Sequence, residues 1–92
     1  MQEGKWLPVH YHVEFYEGRD ADHPVYSMQS SMPLFSFAVG DKIDSQNWGP
    51  NNNLPTNKLY QIVQVTHLLW TIEDSHLSHK VLVDMTVVDR NK

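Results

Sequence analysis

A two-residue rhythm constrains this chain more than any other feature, because apolar and polar side chains alternate in one stretch after another. In Leu7–Tyr16, Val9, Tyr11, Val13 and Phe15 share one parity, and His10, His12, Glu14 and Tyr16 share the other. Successive side chains of an extended backbone point to opposite faces, so such a stretch buries one side only as a β-strand. Lys80–Asp89 repeats the pattern, with Val81, Val83, Met85 and Val87 expected inward and Leu82, Asp84, Thr86 and Val88 outward. Pro33–Asp44 adds a third alternating stretch. Phe35, Phe37 and Val39 point one way until Gly40-Asp41 supplies a tight turn or bulge, after which Lys42-Ile43-Asp44 resumes with Ile43 inward.

The remaining segments fit the same picture. The polar run from Glu17 to Pro24 breaks the first strand, and Val25–Ser31 reads as a weaker one with Tyr26 and Met28 facing the core. Lys58–Ile72 changes parity: Tyr60 and Ile62 share one face, while Val63, Val65, His67 and Leu69 share the other. A shift of one residue exchanges the faces of a strand, so this change predicts a bulge near Ile62–Val63. Glu73–Ser78 is expected as a turn or a single helical turn. Ser45–Asn57, with Gly49, Pro50, Pro55 and the triple asparagine Asn51, Asn52, Asn53, has no period and is expected to be a long loop.

No segment sustains a helical period. The expectation is therefore one all-β domain over residues 1–92, built as a small antiparallel barrel of five or six strands or as a compact sandwich. The Gly-Asp turn with its following bent strand, over Phe37–Ile43, is similar to the small SH3-like barrels. That resemblance implies a barrel and carries no function with it.

Composition narrows the function classes. A chain of 92 residues can bury a single core. Seven Lys plus Arg against eleven Asp plus Glu leave a formal charge of −4, which disfavours nucleic acid as a partner. Protonating the six histidines would reverse that sign, so surface charge is expected to change just below neutral pH. The absence of cysteine excludes disulfides, thiolate zinc sites and a cysteine nucleophile. Met1–Pro8 lacks the apolar core of a secretory signal, and no run approaches the roughly 20 apolar residues that cross a bilayer. A soluble, cytoplasmic protein with no membrane partner is expected.

Motifs that would mark an enzyme are missing. There is no Gly-x-Gly-x-x-Gly, no phosphate-cradling lysine, no serine elbow and no paired histidines bracketing a glutamate four apart. Neither catalysis nor a cofactor is expected. Two places remain where binding is worth testing. Trp48 stands among Gln46, Asn47, Gly49 and Pro50, so it is either a binding anchor or a plug folded onto an open end of the core. Together with Asn47, Asn51, Asn52 and Asn53 it forms the candidate partner-binding set. His10 and His12, two residues apart on one strand face, are a candidate metal pair with His67, or Glu14 on the same face, as the third ligand, the simpler alternative being a solvated face. His76 and His79 would meet only across a helical turn.

The function these features favour is a non-catalytic interaction module. It would bind a partner protein or its own copy through the 45–57 loop and an exposed strand edge. A small accessory protein of a bacterium or phage is consistent with that role. The alternative is a metal- or small-molecule-binding barrel that uses the His-x-His strand.

Overall fold

The structure, a computed structural model, describes residues 7–18, 22–33, 36–48, 54–73 and 75–90. Five strands follow in chain order: β1 Val9–Glu17, β2 Tyr26–Ser30, β3 Lys42–Ile43, β4 Lys58–Ile72 and β5 His76–Asp89. They form one curled sheet in the order β2-β1-β5-β4-β3, and no helix is present among the described residues. The all-β expectation holds.

Strand direction corrects the finer expectation. β1 pairs antiparallel with β2, β4 with both β3 and β5, but β1 and β5 run parallel from Val9↔Leu77 to Glu17↔Met85. The sheet is therefore mixed rather than antiparallel throughout. Among the described residues β2 and β3 remain unpaired with each other, so the sheet curls as a half-barrel without closing. It is also a single layer, not a sandwich. Alternation looks the same in either strand direction, which is why the side-chain pattern gave no warning.

The bulge in β4 lies where the parity change predicts it. The register runs from Lys58↔Asp89 to Ile62↔Met85 and resumes at Gln64↔Asp84, leaving Val63 as the extra residue. That insertion brings Val65 onto the face already occupied by Tyr60 and Ile62. One interior results: Val13, Phe15, Tyr60, Ile62, Val81, Val83 and Met85 are buried together. Tyr26, Met28, Ile43 and Val65 extend it along the sheet, and Phe37, Trp48 and Leu54 cover it from the connections.

One local expectation is corrected. The described part of the 34–39 segment, from Ser36 onward, is not a strand, and Val39 is exposed rather than inward. Leu34 and Phe35 lie outside the described residues, and Phe37 takes the inward role, meeting Phe15 edge-on with ring centroids 5.6 Å apart. The Gly40-Asp41 turn does form: Asp41 N–H donates to the Ala38 carbonyl, and Asp41 Oδ2 accepts from the Ala38 N–H. Gly40 has φ of 97°, a left-handed value that a side chain would strain. In the 73–78 segment the expected turn is found at Glu73 and Ser75, and of the two alternatives it is the plain turn that leads into β5. Ser75 N–H donates to the Ile72 carbonyl, and β5 is already under way at His76, paired with Ile72. A tight reversal keeps every later residue in the ladder, so strand replaces the helical turn.

Candidate functional site

The two faces of the sheet carry different chemistry. On the outer face, β1 presents His10, His12, Glu14 and Tyr16, and β5 presents Lys80, Leu82 and Asp84 beside them, as the register His12↔Lys80 and Tyr16↔Asp84 requires. Glu14 is the centre of this patch. It accepts a hydrogen bond from the Tyr16 hydroxyl at 2.8 Å, pairs with Lys80 Nζ at 3.1 Å, and lies 3.7 Å from His12 Nε2. Burial works against its ionisation, but the Tyr16 hydrogen bond and the Lys80 ammonium outweigh it and hold the carboxyl below its ordinary value of 4.5. Burial, with Glu14 and Asp84 adding to it, pushes the Tyr16 phenol up.

This arrangement is an ion-pair network centred on Glu14. A depressed carboxyl pKa means that Glu14 stabilises the fold when ionised, an effect present above about 4.5 and lost as pH falls through its lowered folded value. Glu14→Gln is expected to cost under about 1 kcal/mol at neutral pH, the range of a partly solvated pair. It should also flatten the loss of stability below that pH. Urea midpoints of both proteins at neutral pH and at successively lower values check this; parallel curves would place the acid sensitivity elsewhere.

The candidate metal set is divided by the sheet. His10 and His12 lie on the outer face, while His67, paired with Val81, lies on the core-side face. Among the described residues no three His, Asp or Glu side chains converge as metal ligands. The histidines instead meet in pairs. His10 stacks on His76 with centroids 4.1 Å apart and planes at 25°. On the opposite face His67 Nδ1 lies 2.9 Å from His79 Nε2. Parity explains the split of His76 from His79: residues three apart on a strand face opposite ways.

Trp48 is turned onto the interior. Its ring stacks on Tyr26 at 4.8 Å and 6° and on Tyr60 at 5.8 Å and 19°, and tilts against Phe15 at 5.0 Å. A Trp48 N–H to Ser45 carbonyl bond closes the turn that delivers it. Tyr60 in turn donates to Glu17 Oε1 at 2.9 Å, and burial together with that bond pushes its phenol up to about 12. Asn47 is exposed on the same turn, whereas Asn51, Asn52 and Asn53 lie outside the described residues. Arg90 ties this end to the sheet by donating to Asp44 Oδ2 and to the Thr56 carbonyl.

The other end of the sheet carries a surface that no motif in the sequence marked. β3 meets β4 only at Gln61 and Tyr60, and the adjacent Gly40 and Asp41 engage Ile62. From Val63 to Ile72 the outer edge of β4 has no further strand beside it among the described residues. Leu68, Leu69, Trp70 and Ile72 are exposed there, Leu69 at 72%. Leu77 adds to them from β5. Val63–Ile72 contains no Asp, Glu, Lys or Arg, a signal that was legible in the sequence before any coordinates. Comparison with protein-family models, curated proteins and solved structures finds no match to this chain.

Proposed function

We propose that this chain is a non-catalytic interaction module that engages another protein, or its own copy, by adding a strand to the free edge of β4. The observation that carries this reading is the uncharged Val63–Ile72 edge with apolar residues on both of its faces. Soluble proteins usually blunt such edges with charges, prolines or bulges. Here the bulge at Val63 sits at the start of the free stretch, and among the described residues nothing blunts the rest. Strand addition supplies main-chain hydrogen bonds, while Leu68, Trp70 and Ile72 on one face and Leu69 on the other supply the apolar contact. The 45–57 loop takes a lesser part in this reading. Trp48 is engaged by Tyr26 and Tyr60, leaving Asn47 as the contact residue that its described end offers.

A lysine at the edge tests it. Leu69→Lys and Trp70→Lys should each weaken self-association at least about tenfold in sedimentation velocity, with stability changed by no more than about 0.5 kcal/mol at the more exposed Leu69. A wild-type chain that stays monomeric removes the second copy as the partner. Capture from the native host, compared between wild type and Leu69→Lys, then decides for a different protein; identical captures would end the proposal.

A further inference from the structure

Independently of the strand edge, the core-side face carries a cavity of about 330 Å³ whose lining includes Tyr11, His12, Phe37, His67, His79 and Val81. Its polar wall is the histidine pair. His67 and His79 stand diagonally across the β4–β5 ladder, where His67 pairs with Val81 and Leu69 with His79. Their facing nitrogens, Nδ1 of His67 and Nε2 of His79, are 2.9 Å apart, and the ring planes meet at 34°. The Tyr11 ring leans on His79 with centroids 5.8 Å apart.

We infer that His67 and His79 form a two-nitrogen chelate for a divalent late first-row transition ion, with Ni²⁺ the best-fitting probe. Imidazole nitrogens bind such ions at about 2.0–2.1 Å, so two ligands at a right angle stand about 2.9 Å apart and two at a tetrahedral angle about 3.3 Å. The observed 2.9 Å is the length of an inter-ring hydrogen bond, in which the two nitrogens face each other, and it is also the span of two ligands at a right angle, so binding needs the two rings to rotate and not the strands to move. A neutral imidazole pair needs no proton loss to bind: the ring that donates the inter-ring hydrogen bond moves its proton to its distal nitrogen, freeing the facing lone pair. Water from the cavity completes the coordination sphere.

The other histidines do not offer this. Imidazole lone pairs lie in the ring plane, and the nearly parallel stack of His10 on His76 does not aim two of them at one point. That contrast supplies the control. The untagged chain titrated with NiCl₂ by calorimetry should saturate at one ion per chain, and its melting temperature should rise with Ni²⁺, because the chelate exists only in the folded state. His67→Ala and His79→Ala should each lower the affinity at least about tenfold and abolish the thermal shift. His10→Ala and His76→Ala should change neither. His67 is solvent-exposed, so its removal leaves the core intact even if the His79 variant folds poorly. No saturable binding, or binding that survives in the His67 variant and is lost in the His10 variant, would overturn the assignment.

Discussion

Trp48→Ala is expected to lower the stability of this protein by about 2–4 kcal/mol, the cost of removing a large, well-packed aromatic from a core. The ring touches three strands at once, stacking on Tyr26 of β2 and Tyr60 of β4 and tilting against Phe15 of β1. Its loss uncovers part of Phe15 and Tyr60, both buried, and leaves Phe37 and Leu54 as the described connection residues still packed on the core. A chain of this size loses about 4–8 °C of melting temperature per kcal/mol, so the variant should melt roughly 8–32 °C lower. Trp48→Phe should recover part of the loss by restoring one stacked ring. A drop below about 1 kcal/mol would mean that the indole is loosely held and free to serve as a contact residue instead.

Deleting Val63 should have a larger effect still. Val63 is the extra residue between the Ile62↔Met85 and Gln64↔Asp84 pairs. Without it, the chain on one side of the deletion must exchange its faces. Keeping Val65 over Val83 would turn Tyr60 and Ile62 outward; keeping Tyr60 and Ile62 buried would turn Val65, His67 and Leu69 outward. At about 1.5–3 kcal/mol for each large side chain exposed, losing two core residues costs about 3–6 kcal/mol. That rivals the total of about 5–15 kcal/mol typical of a small domain. Cooperative urea unfolding should be lost or its midpoint should collapse, whereas Val63→Ala, which keeps the insertion, should retain the transition. Equal behaviour of the two variants would show that the ladder slips without penalty.

The bulge also shows how far residue pattern reaches. Two apolar sets of opposite parity in Lys58–Ile72 are incompatible with a regular half-buried strand, so the position of the defect could be read before the fold was known. Gly40-Asp41 and the inward Ile43 were legible for a similar reason, since turn chemistry and alternation are local properties. The 34–39 segment was not, because a run of alternating residues can cover a core as a connection without joining the ladder. Phe37 does so by packing on Phe15 while Val39 stays in solvent.

The candidate sites divide along the same line. That Trp48 lacked apolar neighbours in sequence was plain, yet the rings it meets come from β1, β2 and β4. The histidines of β1 and β5 were visible as short motifs, but His10 with His76 and His67 with His79 are partners only because β5 pairs with both β1 and β4. Extended backbone, one buried face and the irregularity in β4 follow from side-chain order alone, because burial by alternate residues is a short-range rule. Strand direction, the open edge and the meeting of distant imidazoles were settled by the path of the chain through space, which a periodic pattern of side chains does not encode.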